Sequence, residues 1–473
     1  MMKSRLVARG DLSNIFNRSD SPTAEKEGMF LVFSFASSRK LIIKVGDLDH
    51  GYFQGEKLSK PLILKQPKSG LPDPKIQPDD RLLAFVPIYG TRDAGRGLWR
   101  RIRRVLLENN FTENFILSAT YSYSRDGVVL ALIAIHVDDI LWANESELDS
   151  LFESIFDQLV LGKQQQKEFR FCGVEVKQNK DFSIVVTCEQ TTRKLEVINL
   201  TKARQREVEE MATPEEKQEL WSVVGSLMWI TRCCRPGIAY RVSSLQSACH
   251  NPMIGDIVEA NKVVKHVLED PKAGLTYRPG LEWPTQPGEQ LRICVAAVSD
   301  ASHGNEEVYI DEWEIREPFR SQGAKQVFLA STALIDQAEG QVHLLSFAST
   351  IQPRVVNSTI KAETYQLSLV VEAADLIRAA IADARGRLDD RQWETSAASS
   401  MKSVWFTDCK SCFDTLQKPI AKTVDKRLGI ELASLRQHLW RDSGSHIPDP
   451  DVGRCMHLTV QRGIAGNIPR SAS

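Results

Sequence analysis

The chain has 473 residues, which suggests about three structural units at roughly 150 residues each. Lys+Arg (60) and Asp+Glu (61) nearly cancel and the apolar share is 42%, which excludes a disordered, collagenous or acidic-tail chain. The longest apolar run, Val128 to Ile135, is far short of the ~20 residues of a membrane span, and no signal-peptide core follows Met-Met-Lys-Ser-Arg; the expectation is an intracellular protein, cytoplasmic or nuclear, with no membrane partner. Nine cysteines are scattered, and the single C-x-x-C (Cys409, Cys412) has no second pair to complete a zinc site, so they read as reduced thiols. With almost no net charge, any binding of nucleic acid must come from local clusters.

In chain order, Met29 to Ala36 predicts an apolar helix and Leu41 to Val45 a buried strand ending at Gly46-Asp47. Residues 65–80 carry four prolines and predict a loop. From Arg92 to Arg104 six arginines recur, and at helical spacing Arg96, Arg100, Arg103 and Arg104 share a face, a basic stripe. Val128 to Ile135, then His136-Val137-Asp138-Asp139, then Ile140 to Trp142 predicts a hairpin with an acidic tip. Residues 214–270 read as helical, broken at Pro236 and at Asn251-Pro252. Tyr277 to Gln290, with three prolines and two glycines, reads as a linker. Beyond it come strands at Leu291–Val298, Val327–Leu334 and Val342–Ala348 and a helix from about Thr359 to Arg385. A strand at Val404–Thr407 and a helix around Leu428–Trp440 follow. The pattern predicts a mixed α/β (α+β) protein. Its divisions are expected at 1–200, 201–285 and 288–445, with an irregular tail at 446–473.

Adjacent carboxylates at a hairpin tip repel unless a cation lies between them. If the strand ending at Asp47 neighbours the hairpin, Asp47, Asp138 and Asp139 converge at one sheet edge and could hold two Mg²⁺ (or Mn²⁺) ions for phosphoryl transfer. For each aspartate alone, capping a turn or facing water is the plainer reading. The flanking residues change that weighting. DLDHGYFQGE (Asp47 to Glu56) with HVDD (His136 to Asp139) resembles the palm of copia-type (Pseudoviridae-like) LTR-retrotransposon reverse transcriptases, whose motifs run D-x-x-x-A-F-L-x-G-E and Y-V-D-D. In the same order, KSRLVARG (Lys3 to Gly10), YGTRDAGR (Tyr89 to Arg96), FCGVEV (Phe171 to Val176) and VGSLMW (Val224 to Trp229) resemble further motifs of that Pol region, as does RPGIA (Arg235 to Ala239).

The resemblance implies that Asp47, Asp138 and Asp139 are catalytic metal ligands. It implies that Tyr52 lies under the nucleotide sugar and excludes a 2′-hydroxyl, and that Lys3 and Arg5 contact the dNTP. Arg96, Arg100 and Arg104 would then contact the template backbone. The plainer readings are a core aromatic for Tyr52 and a solvated helix face for the arginines.

A second acidic set follows the linker. VAAVSDAS (Val295 to Ser302) puts Asp300 at the end of a strand, STIKAETY (Ser358 to Tyr365) puts Glu363 one turn into a helix capped by Ser358 or Thr359, and VWFTDCKSC (Val404 to Cys412) puts Asp408 at the end of another strand. The order resembles the ribonuclease H of the same Pol proteins, which implies that Asp300, Glu363 and Asp408 are catalytic metal ligands for cleaving RNA in RNA–DNA hybrids.

Four departures stand against the family pattern. His136 replaces the tyrosine before V-D-D. Asp93 replaces a glutamine near the nucleotide and adds a negative charge unless Arg92 or Arg96 offsets it. No segment after Trp440 matches the fourth ribonuclease H carboxylate; Asp442, Asp449 and Asp451 are poor substitutes, and the tail reads as frameshifted or truncated. The chain is also expected to begin inside the fingers. The leading expectation is an RNA-directed DNA polymerase with a ribonuclease H domain, acting on template–primer, dNTPs and hybrid. Ancestry is separate from present activity, so the alternative is an inactive remnant that only binds nucleic acid through Arg92–Arg104. An unrelated α/β scaffold would leave Asp47 far from Asp138 and Asp139.

Overall fold

The computed structural model describes residues 7–12, 19–58, 60–67, 70–71, 73, 75–77, 79–310, 315–337, 339–418, 425–441 and 445–447. Lys3, Arg5, Asp442, Asp449 and Asp451 lie outside the described residues.

The apolar segment near the N-terminus forms helix α1 (Lys26–Ser38), in which every residue from Gly28 to Ser37 is buried. A helix that is apolar on all sides belongs in an interior, not on a surface. Burying Met29, Phe30, Leu31, Val32, Phe33 and Phe35 contributes on the order of 10 kcal/mol gross. Gly28 permits the approach to the sheet beneath, since a Cβ there would stand 2.4 Å from Thr120 Oγ1.

That sheet combines β1 (Lys44–Leu48) with four strands that precede helix α3 and one that follows it. The chain first makes a hairpin, β2 (Leu62–Lys65) and β3 (Arg81–Ala84), then helix α2 (Ala94–Glu108). β4 (Thr112–Glu113), β5 (Thr120–Arg125), β6 (Val128–His136), β7 (Asp139–Asn144), α3 (Asp149–Gln158) and β8 (Leu161–Gln166) follow. The sheet order is β4-β5-β6-β7-β1-β8. The strand expected at Leu41–Val45 instead runs Lys44–Leu48 and carries Asp47 within it. Gly46 does not terminate the strand; its missing side chain accommodates Leu161, whose Cδ2 would lie 2.7 Å from a Cβ.

A second sheet, ordered β12-β11-β10-β9, is built from β9 (Glu168–Phe171), β10 (Val174–Gln178), β11 (Ile184–Thr187) and β12 (Gly274–Tyr277). Between β11 and β12 lie α4 (Glu189–Thr192), α5 (Pro214–Cys234), α6 (Ala239–Ala248) and α7 (Ile254–Glu269). Thr213 and Glu216 form a reciprocal cap at the start of α5, and the helices break at Pro236 and at Asn251-Pro252, where the sequence predicts.

The C-terminal sheet is ordered β15-β14-β13-β16-β17. It contains β13 (Ile293–Ile310), β14 (Ile315–Ser331), β15 (Val342–Ile351), β16 (Ser403–Phe406) and β17 (Ser445–His446). Helices α8 (Ala333–Gln337), α9 (Thr359–Ala384), α10 (Trp393–Ser400), α11 (Lys410–Gln417) and α12 (Lys426–Arg441) complete this half. β13–β14–β15 are antiparallel, whereas β16 runs parallel to β13 and β17 parallel to β16. The strand expected at Val327–Leu334 ends at Ser331, with Ala333 already in α8.

The two halves share one core. Residues of α1, of the second sheet and of the C-terminal sheet belong to a single buried cluster. Lys26 Nζ donates to Phe347 O (2.8 Å), Ser37 Oγ to Tyr277 O (2.8 Å), and Tyr277 Oη to Leu344 O (2.9 Å). The segment expected as a linker has no regular structure after Tyr277, yet Leu281 and Trp283 are buried, and Trp283 meets Phe35 edge-on. At the far end, Asn114 Nδ2 donates to Ala380 O and Arg385 Nε to Gly127 O, holding α9 against β4–β6.

His343 ties the joint together. Its Nε2 donates to Arg278 O (2.7 Å), which makes Nδ1 the acceptor for the Ser34 hydroxyl (2.8 Å). Burial pushes the imidazole down to about 4 from 6.5. The folded state therefore refuses a proton that the unfolded state takes up, and this group costs stability as pH falls from about 6.5 toward 4. His343→Asn is expected to lose about 1–2 kcal/mol at pH 7.5 through its broken hydrogen bonds. Its urea midpoint should then fall less than that of the parent chain between pH 7.5 and pH 5.

Candidate active sites

The first site is built by strand register. β6 and β7 pair with His136 opposite Asp139, leaving Val137 and Asp138 as a two-residue turn. Val137 takes φ +61°, a left-handed conformation that a β-branched residue adopts only at a cost of about 1–3 kcal/mol. β1 pairs with β7 so that Asp47 lies opposite Asp139. Between Gly46 and Leu48 the β1–β8 ladder bulges, which re-aims the Asp47 side chain toward solvent. Leu48 N donates to Asp138 O (3.0 Å), tying the strand to the tip. Burial first, then the charges of Asp138 and Asp47, push the Asp139 carboxyl up to about 6.

The segment after Asp47 folds under the tip. Gly51 packs closely there, since a Cβ would stand 3.0 Å from Asp138 Cβ and one of the two would have to shift. Tyr52 is half-buried on the core of this half and meets Tyr89 edge-on, with centroids 4.8 Å apart. It is thus both packed and on the acidic side of the fold. Residues 8–10 of the KSRLVARG segment lie beside residues 89–90 of YGTRDAGR: Ala8 N donates to Tyr89 O, and Gly10 N to Gly90 O. A Cβ on Gly90, whose φ is +89°, would stand 2.1 Å from Ala8 O.

The sequence missed two neighbours of this site. Cys172 and Gly173 form the turn between β9 and β10, both with positive φ. Burial first, then the charge of Asp139, raise the Cys172 thiol to about 12, so the turn stands beside the aspartates. Trp229 of α5 lies against Gly173, where a Cβ would meet Cζ2 at 2.7 Å. The motifs FCGVEV and VGSLMW were visible, but nothing in either one announced that they would touch.

The arginine stripe needs correction. Helix α2 forms as expected, but Arg96 is buried and donates to Asp20 Oδ2 (2.8 Å). Arg103 pairs with Glu113 (2.6 Å), Arg104 with Glu56 (3.5 Å), and Arg101 donates to Gln158 O. Arg92 donates to Gly10 O. Arg100 is exposed and unpaired among the described residues. The spacing set the helix face, but distant acidic residues neutralise most of it.

The second site is tighter. Asp300, Glu363 and Asp408 each offer a carboxylate oxygen within 4.8 Å of the others. Asp300 is inside β13, not at its end as expected, because β13 continues past it in the hairpin with β14. The parallel ladder of β13 with β16 ends at Val298–Phe406, and Asp300 and Asp408 each follow by two residues. Glu363 enters from the second turn of α9 and is 4% exposed. Its Oε1 accepts from Ala301 N (3.2 Å), while its buried Oε2 has no hydrogen-bond partner. Burial first, then Asp300 and Asp408, push its carboxyl up to about 8. An orphaned buried oxygen among crowded carboxylates is a donor set suited to a hard divalent cation. Asp47, Asp138 and Asp139 offer the same chemistry in a more open arrangement.

Residues 1–212 match the family model described as reverse transcriptase (RNA-dependent DNA polymerase). The chain is also similar to the putative transposon Ty5-1 protein YCL074W of Saccharomyces cerevisiae (strain ATCC 204508 / S288c), with 26% identity over 266 residues. That alignment covers 53% of this chain and 82% of the yeast protein. No helix among the described residues is long and apolar enough to cross a membrane. Residues 1–212, in which Asp47 is held opposite Asp139, are similar to the copia-type reverse transcriptases of LTR-retrotransposon Pol proteins.

Proposed function

We propose that the chain is an RNA-directed DNA polymerase in which Asp47, Asp138 and Asp139 hold Mg²⁺ or Mn²⁺, with a second, ribonuclease H site at Asp300, Glu363 and Asp408. The register that sets Asp47 against Asp139, next to Asp138, carries the polymerase reading. The divisions that go with it are fingers and palm (1–200), helical thumb or connection (201–285) and a ribonuclease H-like domain (288–445). When bound, the divalent cations neutralise the transferring phosphate and the two oxygens exchanged on it.

The remaining chemistry belongs to side chains. Burial first, and then Asp138 and Asp47, hold the Asp139 carboxyl up at about 6, so positive charge entering the site would favour its ionised form. Tyr52, wedged against Tyr89, presents a fixed ring where a ribose hydroxyl would clash. Along α5, Trp221, Gly225, Trp229 and Arg232 are exposed on one face at helical spacing. Gly225 has open space above it, and Trp229 reaches the turn beside the aspartates. That face suits a duplex leaving the polymerase site, with aromatic and cationic groups flanking a close backbone approach. The order β15-β14-β13-β16-β17, with one helical carboxylate between two from parallel strands, supports the ribonuclease H reading. The binding-only alternative gains nothing from α2, most of whose arginines are already engaged.

Three outcomes test this function. With oligo(dT)-primed poly(rA), dTTP and Mg²⁺, the chain should extend the primer, and Asp138→Asn/Asp139→Asn should abolish extension. Tyr52→Ala should raise ribonucleotide incorporation relative to dNTP at least tenfold, read as the ratio of kcat/KM values. Glu363→Gln should abolish cleavage of RNA in a hybrid and leave primer extension intact. The same substitution removes a buried charge whose cost appears as pH rises from 4.5 through about 8. At pH 8 without metal, Glu363→Gln should therefore be more stable than the parent by about 2–4 kcal/mol, and Mg²⁺ should raise the Tm of the parent by more than that of the variant, which keeps Asp47, Asp138 and Asp139.

A further inference from the structure

We infer that His136 is a further ligand at the first carboxylate site, an imidazole nitrogen beside Asp139 that makes the site select Mn²⁺ over Mg²⁺. This role rests on the reading of Asp47, Asp138 and Asp139 as metal ligands and deepens it. The tyrosine of the family motif would offer only a protonated phenol at this position, whereas His136 brings a nitrogen lone pair.

Strand register puts the imidazole in line with the carboxylates. His136 of β6 lies opposite Asp139 of β7, and Asp139 lies opposite Asp47 of β1. Directly opposed residues of antiparallel strands project from the same face, with Cβ atoms roughly 4.5–5.5 Å apart. His136, Asp139 and Asp47 thus form one row across three strands, with Asp138 on the turn at its end. The next row inward on that face, Ala134, Leu141 and Val45, is buried in the core that α1 shares. The row of ligands is therefore the open end of a dry face, where charge is poorly screened.

The ring is not committed elsewhere. Its Nδ1 is buried without a hydrogen-bond partner, and among the described residues no carboxylate pairs with His136. A buried nitrogen left unsatisfied costs about 1–3 kcal/mol. A cation drawn to the aspartates satisfies that lone pair and relieves the carboxylate repulsion together. The nitrogen also sets which cation is preferred. Mg²⁺ demands oxygen ligands and gives up its waters reluctantly, whereas Mn²⁺ belongs to the transition series that accepts nitrogen beside carboxylate. His136 and Asp47 stand on either side of Asp139, two strand spacings or roughly 10 Å apart. Of two ions flanking Asp139, only the one on the His136 side gains the nitrogen.

The test uses the full chain with Mn²⁺ as the probe. Pulsed electron paramagnetic resonance of the bound ion should show coupling to a directly ligated imidazole nitrogen. The coupling should vanish in His136→Gln and in Asp138→Asn/Asp139→Asn, and persist in Glu363→Gln, which alters the other site. His136→Gln should weaken Mn²⁺ binding at one site on the order of tenfold, as loss of even an outer partner of a metal does, and leave Mg²⁺ affinity unchanged. His136→Tyr should lose the coupling and the Mn²⁺ preference alike, which separates ligation from packing of a ring. The parent spectrum decides the matter by itself even where a variant folds poorly. Absence of nitrogen coupling in the parent, while Mn²⁺ binding still depends on Asp138 and Asp139, overturns the role of His136 and leaves the carboxylate reading in place. Coupling that survives His136→Gln, or equal Mn²⁺ affinity in the parent, Gln and Tyr chains, overturns it too. Failure of the polymerase reading looks different. Nitrogen coupling that depends on Asp138 and Asp139, with no primer extension in either metal, would leave the ligand supported and remove the polymerase.

Discussion

Burial of α1 is the constraint on which the arrangement of both acidic sites depends. A helix with ten consecutive buried residues needs apolar partners all round, and neither half of the chain supplies them alone. β6 and β7 cover one side, β15 another and β12 a third, so the two halves close over the same helix. Its few polar groups each meet a partner at the joint: Ser34 with His343, Ser37 with Tyr277 O, Lys26 with Phe347 O. An unpaired polar atom there would cost about 1–3 kcal/mol, which disfavours hinged opening of the halves. The distance between the two carboxylate sites is thereby set by core packing and not by the reach of a flexible connection.

Within that frame each site stores electrostatic repulsion in a different way. At the first, register brings Asp47 opposite Asp139 while a strained Val137 turns the tip, and two of the three aspartates remain half-exposed where water screens them. At the second, Glu363 is almost wholly buried with one oxygen unpartnered, so the charge it would bear has little solvent to spread into. Folding tolerates this because β13, β16 and α9 are held by their own cores: Val295, Ala296 and Trp405 in the sheet, Leu367 and Val370 in the helix. Rigid elements with poorly solvated carboxylates are prepared for a cation before one arrives.

Local pattern made much of this legible. The largely apolar run at Met29–Ala36 predicted a helix, and the acidic hairpin followed from two apolar strands around His136–Asp139. The boundaries that went wrong did so because the deciding partner was far away. Gly46-Asp47 has the composition of a strand end, yet Leu161, over a hundred residues on, fills the space above Gly46 and the strand continues. Tyr277 to Gln290 has the composition of a tether, yet Leu281 and Trp283 are drawn into the core by Phe35 and its neighbours. The arginines of α2 were read as one exposed face because spacing gives a face and no partners; Asp20, Glu56 and Glu113 come from outside the helix.

The same reasoning bears on Asp93, where the family pattern has glutamine and where the added charge needs an offset from Arg92 or Arg96. Arg96 cannot supply it, since its guanidinium is turned inward onto Asp20. Arg92 can. It lines a cavity of about 1010 Å³ between the β2–β3 hairpin and the start of α2, together with Asp93, Arg9 and Lys65. Its donors go to the carbonyls of Gly10 and Asp11, which consume no negative charge. Three cations against one carboxylate leave that cavity positive despite the substitution, with part of Arg9 offset by Asp11 (2.7 Å). Residues 8–10 pack against 89–90 at the edge of this cavity. Two glycines make that packing possible, because a Cβ on either would stand 2.1 Å from a backbone oxygen.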